Sequence, residues 1–188
     1  MLAGGKSRRM GTDKSFLLLD GKPLLLHVIE RVSELQLPVI LIANEIEKYA
    51  GFGLPIFSDI IPNAGSLGGV YTALQQTSTE HTRTLCVACD MPFLNPTLLR
   101  FLIKQSLEYD VVVPFINGTA HGLHAVYSSS CLSIMQKQIE SGDLRIQRVF
   151  PQAKTQFVGE ETLRFFDPEL RSLVNLNTPT DLDFHRTL

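Results

Sequence analysis

Between positions 22 and 36 the apolar residues Leu25, Val28, Ile29, Val32 and Leu35 recur on one side, with His27, Glu30, Arg31 and Glu34 on the other. That spacing predicts an amphipathic helix. Val39 to Ala43 is an uninterrupted apolar run after Pro38, the pattern of a strand buried on both faces. Leu67, Val70, Tyr71 and Leu74 return to helical spacing, and Thr84 to Ala88 reads as a second buried strand. Leu98, Leu99, Leu102 and Ile103 mark another helix, for which Asn95 supplies the cap and Pro96 the first turn. Strands follow at Val111 to Pro114 and Leu123 to Tyr127, then a helix over 129–140 and a strand over Thr155 to Val158. The Thr178-Pro179-Thr180-Asp181 run opens a terminal helix. Strands alternating with helices predict an α/β, three-layer, Rossmann-like sheet that is mostly parallel, with one antiparallel strand expected from the hairpin-like 111–127 region.

The chain has 188 residues, 44% of them hydrophobic and 19% charged, enough apolar material for a sizeable core. No linker or repeat divides it, so a single domain over residues 1–188 is expected. Seventeen Lys and Arg against nineteen Asp and Glu give a net charge of -2, which excludes whole-surface capture of nucleic acid as the default. No apolar run reaches the roughly 18 residues that a membrane-spanning helix needs. The cysteines Cys86, Cys89 and Cys131 are odd in number and sparse, which fits buried thiols in a reducing cytoplasm better than a disulfide framework or a zinc site.

In open sheets of this class the ligand lies beyond the carboxyl ends of the strands. Three loops there carry chemistry. The first, Leu2 to Lys14, holds Gly4, Gly5 and Gly11 together with Lys6, Arg8, Arg9 and Lys14. Glycines let backbone amides curl around phosphate oxygens, and the cations neutralise them. The spacing matches neither a Walker loop nor a dinucleotide fingerprint. The second, Cys89-Asp90-Met91-Pro92, delivers one carboxylate to a strand end, which suits magnesium held by one or two carboxylates plus substrate phosphates. The third sets Asp59 before Gly65-Ser66-Leu67-Gly68-Gly69, a glycine loop opening a helix. Asn175 and Asn177 add two amides ahead of the terminal helix, while His121 and His124 read as packed or substrate-lining residues and not metal ligands.

Taken in order, Leu2-Ala3-Gly4-Gly5-x-Ser7-x-Arg9-Met10-Gly11-x-Asp13-Lys14, Gly65-x-Leu67-Gly68-Gly69, Cys89-Asp90-Met91-Pro92 and Asn175-x-Asn177-Thr178-Pro179 resemble the molybdenum cofactor guanylyltransferases across essentially the whole chain. The resemblance implies a nucleotide-diphospho-sugar transferase type of fold. The reaction it implies moves GMP from GTP to the terminal phosphate of molybdenum-molybdopterin and releases pyrophosphate. It assigns the backbone of Leu2, Ala3 and Gly4 to the nucleotide, Arg9 and Lys14 to the triphosphate, and Asn44 and Asp59 to the base and ribose side. Gly5, Gly65 and Gly69 match glycines that admit phosphates or pterin to the backbone. Asp90 matches the Mg2+ ligand, and Asn175 and Asn177 the pterin side or a second metal contact. It further implies a cytoplasmic enzyme in transient contact with other cofactor-biosynthesis proteins and recipient molybdoenzymes.

Two departures stand out. Ser66 replaces the usual Pro of Gly-Pro-Leu, and only Met1 and Leu2 stand where a buried strand of about five apolar residues is expected to lead into the first loop. If the natural reading frame begins upstream, an apolar strand is expected ahead of Leu2, together with lower stability for the form that lacks it. The alternatives are a cytidylyltransferase acting on the same pterin, a sugar-phosphate nucleotidyltransferase, or a non-catalytic nucleotide-binding relative. Gly5 and the amide pair Asn175 and Asn177 favour guanylyl transfer, and the joint presence of Lys14 and Asp90 favours catalysis.

Overall fold

The computed structural model describes residues 1–3, 13–177 and 181. Gly4, Gly5, Arg9 and the terminal helix expected from Thr178 lie outside the described residues.

The carboxyl half of the central sheet is built on β5 (Arg83–Val87), which pairs antiparallel with β8 (His124–Ser128). β8 in turn pairs antiparallel with β6 (Val111–Ile116), and β6 pairs parallel with β9 (Thr155–Val158). On the other side of β5 the strands are short: β3 (Leu41–Ile42) pairs parallel with β4 (Ile56–Phe57). Leu2 joins the two halves, bridging in parallel to Ile42 and to Ala88. The ladder is closed by Ala3 N–H to the Ile42 carbonyl, Leu2 N–H to Val87 and Cys89 N–H to the Leu2 carbonyl, at 2.9, 2.9 and 3.0 Å. The spatial order is thus β4, β3, Met1–Ala3, β5, β8, β6, β9, with β8 the antiparallel member, as the 111–127 pattern predicts.

Side chains alternate across this sheet as a pleat requires. Ile42, Cys86, Ala125 and Tyr127 face α3 (Gly65–Thr77) and α5 (Leu132–Glu140). Leu41, Val87, Met1 and Ala3 face α1 (Leu24–Ser33), and Val112, Val126 and Val158 face α4 (Pro96–Gln105) and α6 (Glu160–Phe166). The α1 stripe of Leu24, Leu25 and Val28 is fully buried, each side chain worth about 1.5–3 kcal/mol of apolar transfer. At α4 the Asn95 carboxamide oxygen accepts from Thr97 and Leu98 N–H, and its amide donates to the Phe166 carbonyl, tying the start of α4 to the end of α6.

Three elements carried no clear periodicity. α2 (Ile46–Tyr49) is one turn long, α6 is two, and β1 (Leu18–Leu19) with β2 (Lys22–Pro23) is a minimal hairpin. Its turn, Asp20-Gly21, has φ of +52° and +75°, the left-handed pair that a two-residue hairpin takes. A second such turn, Asn117-Gly118, links β6 to β7 (Thr119–Ala120).

Met1–Ala3 stands between β3 and β5 and pairs on both sides at the carboxyl end of the sheet, with Leu2 alone making the bridges. Toward the other end a cavity of about 140 Å³ separates the two walls, lined by Val39, Ile40, Leu85 and Val87 among others. Beside it the Met1 nitrogen donates to the Ile40 carbonyl at 2.8 Å.

Candidate active site

Because β4, β3, Met1–Ala3 and β5 run parallel, the segments after them leave the sheet on one edge. Asp59 follows β4, Asn44 follows β3 and Asp90 follows β5, so they are laid out along that edge in strand order. At about 4.8 Å per strand the row from β4 to β5 spans roughly 14 Å.

At the β3–β4 end Asn44 and Asp59 form a reciprocal pair. The Asn44 amide donates to Asp59 Oδ2 at 2.9 Å, and the Asp59 N–H donates to Asn44 Oδ1 at 2.9 Å. That exchange fixes the rotamers of both, and it leaves Asp59 Oδ1 buried without a hydrogen-bond partner among the described residues. An orphaned carboxylate oxygen in such a place is a waiting acceptor.

At the β5 end Asp90 is largely buried. Burial raises its pKa, offset in part by Lys14, whose Nζ lies 3.9 Å from Asp90 Oδ2. Asp90 Oδ1 is buried and also lacks a partner among the described residues. Lys14 donates to Asn177 Oδ1 at 2.5 Å, and the Leu176 N–H donates to the Asp90 carbonyl, so the Asn175–Asn177 segment is stitched to both. Asn177 donates its amide to the Asn175 carbonyl, and its backbone N–H donates to Asp181. The sequence-derived residues Lys14, Asp90, Asn175 and Asn177 therefore converge, as do Asn44 and Asp59. No group of three or more His, Cys, Asp or Glu gathers at metal-binding spacing among the described residues; the one unpartnered Asp90 oxygen is the kind of hard donor that a cation shared with phosphates takes.

The two glycines expected to admit ligand differ in role. Gly65 is exposed at the first position of α3, with φ +61° and open space around it, and the preceding Ala64 offers no side-chain cap. Gly69 is buried, and a Cβ built there would fall 2.6 Å from Leu2 Cδ2 and 3.7 Å from Asp59 Oδ1. Its missing side chain makes room for Leu2, with Asp59 Oδ1 close by.

Residues without a sequence signal also enter. Tyr49 donates to Asp13 Oδ2 at 2.5 Å, Lys48 pairs with the same oxygen at 2.8 Å, and Ser15 Oγ lies 3.1 Å from Cys89 Sγ. Asp13 belongs to the first motif, but its partners come from the one-turn α2. Cys86, Cys89 and Cys131 are buried and form no disulfide among the described residues, and burial pushes Cys86 up to about 12. His124 is fully buried and His121 half-buried, in keeping with packed histidines.

Among the described residues, acceptors and the Lys14 cation line the carboxyl edge of a mostly parallel sheet, the edge where open α/β sheets bind their ligands. The model of the MobA-like NTP transferase domain matches residues 1–156. The chain is 34% identical to a probable molybdenum cofactor guanylyltransferase of Pelotomaculum thermopropionicum, over 97% of this chain and 88% of that one. It is 32% identical to the molybdenum cofactor guanylyltransferase of Desulfosudis oleivorans, over 97% and 91%. Among solved structures it superposes on molybdopterin-guanine dinucleotide biosynthesis protein A of Archaeoglobus fulgidus with a TM-score of 0.86 and 28% identity, covering 99% of this chain and 95% of that one. The chain belongs to the molybdenum cofactor guanylyltransferase family.

Proposed function

We propose that this chain transfers GMP from GTP to the terminal phosphate of molybdenum-molybdopterin. An oxygen of the pterin phosphate attacks the α-phosphorus of GTP, a new P–O–P bond forms, the bond to the β-phosphate breaks, and pyrophosphate leaves. Family membership supports the reaction. The observation that carries it in this chain is the convergence of Lys14, Asp90 and Asn177 beside an orphaned, buried carboxylate oxygen.

Both reactants are anionic, so the barrier is largely the cost of bringing like charges together. Lys14 supplies a fixed positive charge at that end of the row, and Asn177 holds its ammonium in place. Asp90 would hold Mg2+ through its unpaired oxygen, and the ion when bound neutralises phosphate charge as it develops. Asn44 orients Asp59 so that its free oxygen accepts from the donor edge of guanine, N1–H and the exocyclic amine. Leu2 and Ala3 bring their backbone to the middle of the row, where the resemblance continues into Gly4, Gly5 and Arg9. Gly65 lets the uncapped amides of α3 face the ligand, and Asn175 and Asn177 border the pterin side.

We read residues 1–188 as one nucleotidyltransferase domain, supported by relatives that align over 97% of the chain. No helix among the described residues is long and apolar enough to cross a membrane. Buried cysteines that form no disulfide among the described residues fit a cytoplasmic setting, where transient contact with other cofactor-biosynthesis proteins and recipient molybdoenzymes belongs to the same reading. Pyrophosphate release from GTP, magnesium and molybdenum-molybdopterin tests the reading. Release that does not depend on the pterin would count against it.

A further inference from the structure

Lys14 opens a three-residue 3-10 turn, Lys14–Phe16. So short a turn has little stability of its own, and a lysine side chain is a flexible four-carbon stem. Its place opposite Asp90 must therefore come from tertiary anchors, and those anchors are on either side of it in sequence. Asp13, immediately before, caps the turn by accepting from the Ser15 N–H at 3.0 Å. The other Asp13 oxygen receives the Tyr49 hydroxyl at 2.5 Å and the Lys48 ammonium at 2.8 Å. Ser15, immediately after, is fully buried, with its Oγ 3.3 Å from the Tyr49 oxygen and 3.1 Å from Cys89 Sγ. Cys89 precedes Asp90.

We propose that Tyr49 is a positioning residue: through Asp13 and Ser15 it clamps both flanks of Lys14 and ties them to the turn that carries Asp90, so that the lysine charge is held at the phosphate end of the site. This rests on the assignment of Lys14 to the triphosphate.

The electrostatics agree with the geometry. Asp13 is the acid nearest to Lys14 in sequence and would otherwise compete for its ammonium. Burial works to raise the Asp13 carboxyl, but the hydrogen bonds from Lys48 and Tyr49 outweigh it and hold the group below the usual carboxylate range. Asp13 is thus an anion already matched by Lys48, and Lys14 turns instead to Asn177 and Asp90. Tyr49 itself is pushed well above the ordinary phenol range, chiefly by burial and then by Asp13, so it remains a donor throughout the working pH range. Its ring packs against Phe16 and Phe52 at centroid distances of 5.3 and 6.5 Å, a contact that phenylalanine preserves.

The test is a double-mutant cycle on pyrophosphate release in the full chain, with Tyr49→Phe, Lys14→Ala and both together, each checked by thermal unfolding. Losing a hydrogen bond to an ionised carboxylate should lower kcat/KM for GTP by about tenfold in the otherwise unaltered protein. In the Lys14→Ala background the same change should cost less than about twofold, since residues acting through one group are not additive. Lys48→Met, which keeps the phenol of Tyr49, should show the same coupling at smaller amplitude. An equal loss from Tyr49→Phe in both backgrounds would mean a purely structural role and overturn the clamp. A Lys14→Ala protein that releases pyrophosphate as fast as its parent would overturn the site assignment itself, and the clamp with it.

Discussion

The Lys14 ammonium stands 3.9 Å from Asp90 Oδ2, while the other Asp90 oxygen is buried and has no hydrogen-bond partner among the described residues. The pair is therefore close enough to interact and too far apart to satisfy both groups. A site that brings two anionic phosphates together needs a positive charge and a carboxylate whose capacity is not consumed in a tight ion pair, and this separation provides both.

Replacing Asp90 by Asn removes the charge and keeps the shape. Turnover should fall by at least about a hundredfold, the scale of losing one electrostatic contact in a phosphoryl-transfer transition state, with GTP affinity changed only modestly. The fold should tolerate the change, because burial already disfavours the ionised form of Asp90. Single-turnover rates together with equilibrium GTP binding separate the two effects, and parent-like turnover would remove Asp90 from the mechanism.

Lys14→Ala should lower both affinity and rate, since that charge meets the triphosphate before and during the reaction. It should also shift the acid limb of the pH–rate profile upward. Lys14 opposes the burial that raises the Asp90 pKa, so without it Asp90 takes up its proton at higher pH. A profile measured for both proteins checks the direction.

Gly69 and Gly65 should respond differently to alanine. At Gly69 the added Cβ meets Leu2 inside the protein, and overpacking of this kind costs about 1–3 kcal/mol, read as a lowered Tm. At Gly65 there is open space but a positive φ, so the penalty is backbone strain of about 1 kcal/mol at the mouth of the site. Equal Tm for Gly69→Ala and the parent would contradict the packing role.

Much of this was legible in the sequence because it rests on patterns longer than a few residues. The apolar stripe of α1, the Asn95 cap of α4 and the strands β5 and β9 all appear where the sequence pattern puts them. Asp90 and Lys14 were legible as motif chemistry at strand ends. What escaped was short or non-local. α2 is a single turn, below the length at which a helical period shows, yet it brings Tyr49 and Lys48 to Asp13 across 36 and 35 residues. The β1–β2 turn did leave a trace, Asp20-Gly21 between two short extended pairs. At Gly69 glycine spacing does not reveal which neighbour needs the room, and that neighbour is Leu2 from the far end of the chain.

The fold should lose stability in mild acid through His124. Its imidazole is fully buried, and burial, then His121, pushes its pKa down to about 4, with the Ser172 backbone and Asp167 offsetting this only in part. The unfolded chain binds a proton below about 6.5 while the native state refuses it until about 4, so stability is lost as pH falls through that window, by up to about 3 kcal/mol. Denaturant midpoints between pH 7 and 4 measure it. A His124→Gln protein with the same pH dependence would assign the effect elsewhere.

Base selectivity tests the central claim most directly. Competition among GTP, ATP and CTP, read as pterin-dependent pyrophosphate release in the presence of magnesium, should favour GTP by well over tenfold, since a site built for guanine leaves its own groups unpaired when another base enters, at about 1–3 kcal/mol for each mismatch. Asp59→Ala should erode that preference more than it slows the reaction. Equal use of CTP by the parent protein would contradict guanylyl transfer and take Asp59 out of base reading.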